Sequence, residues 1–178
     1  MIIAGIALIG LIIYVLYTYN GLVKARNNVQ QAYSGIDVYL TQRFELIPNL
    51  VECVKGYMIY EKALLENITN LRTKYLQNKN LRDAEILNKE CNTILLNVEN
   101  YPELKASEQF MNLQKNLEKM ESQLQAARRI YNMEVNNYNN KVNMFPSNMV
   151  AGMGGFEEKE YFEAEVSTKN NVVINNEK

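Results

Sequence analysis

The sequence has no histidine. That removes the usual general base near neutral pH, His-ligated zinc and haem sites, and histidine pH switches. The two cysteines, Cys53 and Cys91, are too few for a four-cysteine zinc site. They are also too few for a disulfide-dense secreted module, and as free thiols they fit a reducing compartment. Three prolines and eight glycines exclude collagen-like, proline-rich and loop-rich chains. There is no charge excess: 19 basic and 20 acidic residues leave a net charge of -1. A general nucleic-acid binder has a basic excess, so nucleic acid is not an expected partner. The Gly152-Met153-Gly154-Gly155 run follows a helical pattern instead of a strand and has no Lys or Ser after it, so it is not a phosphate loop. The expectation is a chain without enzymatic activity, cofactor or metal, and the length of 178 residues suggests one domain.

Charge is also missing from the first 23 residues, and Ile2 to Tyr17 is apolar without interruption. About 20 helical residues at a rise of ~1.5 Å cross a hydrocarbon core of ~30 Å, so the uncharged stretch that contains this run is just sufficient. Tyr14, Tyr17 and Tyr19 lie at its end, where an interfacial aromatic belt belongs. A cleaved signal peptide would need a basic start and a small-x-small site, and neither is present. A retained anchor over residues 1–19 is therefore expected, with the lipid bilayer as partner of residues 2–19. Lys24 and Arg26 flank its far side. The positive-inside rule then puts the N-terminus outside and the bulk of the chain in the cytoplasm. Gly5 and Gly10 are five apart and make no GxxxG face.

Between Gly56 and Gly152 there is no glycine, so long helices are expected. Apolar residues recur every three or four positions in four series. The first, Leu22, Ala25, Val29, Ala32, Ile36, Leu40 and Phe44, continues from the apolar run. Pro48 must stop or kink that helix and is tolerated at the start of the next. The second series is Ile47, Val51, Val54, Met58, Leu65, Ile68 and Tyr75, fading at the polar turn Gln77 to Asn80. The third is Ala84, Leu87, Cys91, Ile94 and Val98, ending before Pro102. The fourth runs from Phe110 through Leu113, Leu117, Met120, Leu124, Ala127, Tyr131, Tyr138 and Val142 to Phe145, capped by Ser107 and closed by Pro146. Residues 147–156 read as an apolar, glycine-rich loop. Residues 157–178 read as an acidic tail without structure. The expected fold is all-α: an antiparallel four-helix bundle over residues 20–156, with long first and last helices, preceded by a single N-terminal transmembrane helix.

Beyond this rhythm, particular residues resemble a known family. The run Tyr19 to Val29, then Ile36-Asp37-Val38, Arg43, Leu46-Ile47-Pro48-Asn49-Leu50-Val51 and Val54-Lys55-Gly56-Tyr57 are similar to the LemA family of bacterial membrane proteins. Tyr101 to Ala106, Arg128-Arg129-Ile130-Tyr131-Asn132, Tyr138-Asn139, Phe145-Pro146-Ser147-Asn148 and Gly155-Phe156 form a second matching block. The resemblance implies a single anchor and a helical bundle, with no established activity or cofactor. It also implies work at a membrane: some relatives surround magnetosome membranes, and family genes often lie beside those of membrane proteases. Tyr60 stands where a His is common, and Tyr33 where a Trp is common, so no role resting on that His operates here.

The polar residues most worth following are Asp37, Arg43, Glu45 and Lys55 around Pro48, and Arg128, Asn132 and Asn139 in the last helical series. A half-buried charge needs a partner, so a structural, register-fixing cluster is the first reading and a partner-docking site the second. Arg128 is a candidate partner for Asp37 or Glu45. Glu118 and Glu121 read as solvated-face residues, because Leu117, Met120 and Leu124 take the inward positions. The functional expectation is a membrane-anchored scaffold or adaptor with a protein partner. Alternatives are an oligomerising membrane-remodelling or sensing component, or an accessory subunit of a membrane protease or sensor kinase.

Overall fold

The computed structural model describes residues 2–58 and 61–162. Tyr60, and the expected unstructured tail from residue 163 onward, lie outside the described residues. Every regular element among those described is helical. Helix α1 spans Ile2–Glu45, α2 Ile47–Val54, α3 Lys62–Asn78 and α4 Leu81–Asn97. A 3-10 turn at Val98–Asn100 leads into α5, Pro102–Lys105, then α6, Glu108–Asn143, and α7, Ser147–Met153. The chain divides into two compact units, Gln31–Arg129 and Met1–Gln30 with Ile130–Lys178.

The punctuation is local chemistry. Helix α1 ends before Pro48, which sits in the first turn of α2, where its missing N–H costs nothing. Phe44 O, one of the last carbonyls of α1, accepts from Arg72 Nε at 2.8 Å, so this helix end keeps a partner. Helix α3 ends at Lys79, a left-handed residue with φ 51°. Its Nζ donates to Thr41 Oγ1 at 2.6 Å, lies 3.6 Å from Asp37 and sits over the Tyr75 ring. Those contacts offset the modest strain of a non-glycine left-handed residue. Asn80 caps α4 through Arg82 N, at 2.9 Å. Ser107 Oγ accepts from Phe110 N at 3.2 Å, so it caps α6 as its sequence position predicts.

In the unit of residues 31–129 the buried set follows the sequence rhythm. Ile36, Leu40 and Phe44 of α1, Leu65, Ile68 and Tyr75 of α3, Leu87, Cys91 and Ile94 of α4, and Leu113, Leu117 and Leu124 of α6 are all inside. Phe44 and Tyr75 meet edge to face at 4.9 Å, a favoured aromatic geometry.

In the other unit Leu22, Ala25 and Val29 of α1 pack with Val135 and Tyr138 of α6, Val150 and Ala151 of α7, and Phe156. Two expectations change here. Residues 147–153 are helical, because burial of Val150 and Ala151 supplies what seven residues of local propensity do not. Phe145, counted in the fourth apolar series, is 78% exposed. Helix α6 ends at Asn143, so the face of Tyr138 and Val142 no longer extends to it.

Glycine has a definite task after α7. Gly155 has φ 66°, and Phe156 N donates to Ala151 O at 3.0 Å while Gly155 N donates to Gly152 O at 3.5 Å. This is a Schellman-type closure, which puts a left-handed glycine after the helix and an apolar residue back against it. A Cβ on Gly154 would lie 2.7 Å from the Phe156 ring, so a side chain there would expel the ring. Phe156 itself fills the gap beside α1. It meets Tyr19 edge-on at 5.5 Å and carries the Arg26 guanidinium over its face at 5.3 Å.

Candidate functional site

The polar residues singled out by the sequence do not form one cluster. Asp37 is half-buried and accepts from Tyr75 O–H at 2.6 Å, with Lys79 as its ion-pair partner. Burial, and then the Asp37 carboxylate, push the Tyr75 phenol above its ordinary range, so it stays a hydrogen-bond donor. Arg43 is buried and ion-paired to Glu121 of α6. Glu45 is exposed, and exposed Lys55 pairs within its own helical turn, with Glu52 at 3.6 Å. Arg128 is half-buried near the end of the 31–129 unit.

Glu121 corrects the reading of that residue as solvated face. It lies at the edge of the inward stripe and answers the Arg43 guanidinium, which α1 places inside. Arg43 is three residues after Leu40 and seven after Ile36, so it shares their buried face, and a buried guanidinium requires an acceptor. The pair lines an open cleft of about 340 Å³ together with Asn92, Gln114, Glu118 and Gln125. Glu118 stays exposed and accepts from Gln114 Nε2 at 3.0 Å. The cleft offers amides, the Ser122 hydroxyl and one ion pair.

Cys91 is buried, and burial pushes its thiol up from 9.0 to about 11. It is therefore protonated and unreactive near neutrality. In the native protein a thiol reagent should modify Cys53, which is partly accessible, and reach Cys91 only after unfolding. Mass spectrometry of the labelled chain reads this. Because the folded thiol holds a proton that the unfolded one has lost, stability is full below about pH 9 and falls as pH rises toward about 11. Thermal melts across that window should lose this component in Cys91→Ala. Among the described residues no three Cys, Asp or Glu gather as a cation site.

Asn132 and Asn139 act in the second unit. Asn139 Nδ2 donates to Lys159 O at 2.9 Å, and its Oδ1 accepts from Lys159 N at 2.9 Å. Asn132 repeats this on Phe162, donating to its carbonyl at 2.9 Å and accepting from its N–H at 2.7 Å. Asn143 holds Glu158 at 2.6 Å, and Asn136 meets the Tyr161 hydroxyl at 3.3 Å. The asparagines at 132, 136, 139 and 143 repeat at four, three and four residues, one face of a helix. Against that face the residues after Phe156 lie extended, each clasped amide imitating a strand partner. Sequence reasoning missed this strap; the recurring asparagines were its signal. Asn139→Ala and Asn132→Ala should each remove ~1–2 kcal/mol of hydrogen bonding, so amide exchange at Lys159 and Phe162 should quicken about tenfold.

At the other end of the same unit, every residue from Ile2 to Tyr14 is exposed. The first part of α1 is long and apolar enough to cross a membrane. A family model described as the LemA family matches residues 32–175. The chain belongs to the LemA family. It is similar to Protein LemA of Metamycoplasma hominis, with 29% identity over 137 residues, 74% of this chain and 63% of that protein. The chain thus spans 63% of the length of that relative. It is also similar to Magnetosome protein MamQ 2 and Magnetosome protein MamQ 1 of Paramagnetospirillum magneticum. Both are 21% identical over 193 residues, covering 92% of this chain and 71% of each of them.

Proposed function

We propose that the protein is a non-enzymatic scaffold or adaptor anchored in the bacterial cytoplasmic membrane. Residues 2–19 cross the bilayer, and an antiparallel helical bundle stands on its cytoplasmic face. The observation that carries this is a change of behaviour within one helix. Up to Tyr14 the apolar side chains of α1 are exposed all round, with Ile2 82% and Leu8 61% exposed. From Leu22 onward a recurring apolar stripe, Leu22, Ala25, Val29, Ile36, Leu40 and Phe44, is buried. An apolar surface on all sides with no protein over it matches lipid, and a single buried stripe matches a soluble bundle. Lys24 and Arg26, directly after the run, favour a cytoplasmic bulk. The magnetosome names of two relatives agree with work at a membrane. Amide and ion-pair surfaces, with Cys91 buried and protonated, favour protein contacts over chemistry.

Crosslinking in the native membrane, followed by purification in detergent, tests the scaffold reading. One partner in fixed stoichiometry is expected, whereas recovery of the chain alone would count against it. A reporter fused after Lys178 should behave as cytoplasmic. Activity only outside the membrane would reverse the orientation.

A further inference from the structure

The α6–α7 elbow exposes more apolar surface than a water-facing turn requires. Met144 is 62%, Phe145 78%, Met149 63% and Met153 86% exposed. Met149 and Met153 are four apart on α7 and share one face, while Val150 and Ala151 turn inward and are buried. The helix is thus apolar on both sides, and only one side has protein over it.

The fold fixes where this surface lies. Lys141 Nζ, near the end of α6, donates to Gly21 O at 3.3 Å. Lys141 and Ser147 share an open cleft of about 500 Å³ with Tyr17, Thr18, Gly21 and Lys24 of α1. The elbow therefore stands abreast of residues 17–21, where the exposed apolar run gives way to polar residues. At ~1.5 Å per residue, Tyr17 to Lys24 covers about 10 Å, the scale of one headgroup layer. At this level lies Lys141 and just above it Lys24, both exposed, placed to meet anionic headgroups.

We infer that the elbow is a second membrane contact: Met144, Phe145, Met149 and Met153 enter the interface of the same bilayer leaflet that α1 leaves. The inference rests on the anchor reading above. Apolar side chains of an interfacial helix enter ~5–10 Å into the headgroup and acyl boundary. Lipid is the partner favoured here because the patch adjoins the all-round apolar surface of α1 and is rimmed by cations. With the anchor and the elbow both inserted, the α1–α6–α7 unit has two points of attachment, which sets its tilt as well as its tether.

The chain has no tryptophan, so a single introduced tryptophan reports its own surroundings. Full-length Phe145→Trp, Met149→Trp, Tyr17→Trp and Leu96→Trp chains, each checked for helical circular dichroism, are reconstituted in phosphatidylcholine–phosphatidylglycerol vesicles. Leu96, 71% exposed in the other unit, is the wet reference. For Phe145→Trp and Met149→Trp the expected result is blue-shifted emission, quenching by lipids brominated near the headgroup end of the chain, and iodide quenching at least about threefold weaker than at Leu96→Trp. If both elbow variants are as open to iodide as Leu96→Trp while Tyr17→Trp is quenched by brominated lipid, the elbow contact is wrong and the anchor stands. If Tyr17→Trp is itself open to iodide, the anchor reading fails and takes the elbow with it. Shielding of the elbow from iodide without quenching by brominated lipid means that protein covers it, which also overturns the inference.

Discussion

Truncating Leu117 and Leu124 together to alanine should unfold the 31–129 unit or bring it close to unfolding. Both are buried, at 4% and 0% exposure, and they stand seven residues apart on α6. A buried Leu→Ala change costs about 2–5 kcal/mol, through lost transfer energy and the cavity left behind. Seven helical residues separate the two sites by about 10 Å, far enough for the costs to add approximately. A domain of this size holds about 5–15 kcal/mol in all, so the pair removes most or all of it. Chemical denaturation followed by circular dichroism measures the effect. A double variant within about 1 kcal/mol of the parent would mean that α6 does not turn this face inward.

Glu121→Ala should cost about 2–4 kcal/mol, because it strands the buried Arg43 guanidinium without a counter-charge. The side chain of Arg43 is 7% and that of Glu121 32% exposed, so water reaches only one partner freely. Glu118→Ala, one turn earlier and exposed, should change stability by less than about 0.5 kcal/mol. Replacing both partners, as Arg43→Met with Glu121→Leu, should recover most of the loss, since a well-packed apolar pair is often as stable as a buried ion pair. Equal effects for Glu121→Ala and Glu118→Ala, or a double replacement worse than the single, would show that the pair is not buried as described.

How far the sequence carried the fold depends on the range of the interactions involved. The long helices were legible because spacing is a local property: Leu22, Ile36, Leu40, Ile68, Leu87 and Leu124 all fall on expected stripes and are buried. Breaks at Pro48, at Lys79 and before Pro102 were legible for the same reason. Helix α7 was not, because its stability comes from Val150 and Ala151 packing in a core shared with residues over a hundred positions away. Glu121 was misjudged because periodicity assigns faces without showing what stands opposite. Its partner lies 78 residues earlier, and only the inward position of Arg43 hinted that a carboxylate was needed. Asn132 and Asn139 were marked as polar residues to follow, but their clasp on Lys159 and Phe162 joins backbone to side chain and leaves no periodic trace in the strap. Phe145 shows the converse error: a rhythm extended past the end of its helix assigned a core position to an exposed ring.

The membrane placement of Ile2 to Tyr17 supports everything else proposed, and alkaline carbonate extraction of native membranes tests it directly. Carbonate strips peripheral proteins and unfolds many of them, but it does not free a helix that spans the hydrocarbon core. The parent chain should stay in the membrane pellet. A variant carrying Leu8→Lys and Ile12→Lys should be released into the supernatant. Both positions are exposed, at 61% and 51%, so these changes leave the protein core untouched while adding about 2.5–3.5 kcal/mol per charge to membrane insertion. Release of the parent chain by carbonate would contradict the anchor and, with it, the account of this protein as a membrane-held scaffold.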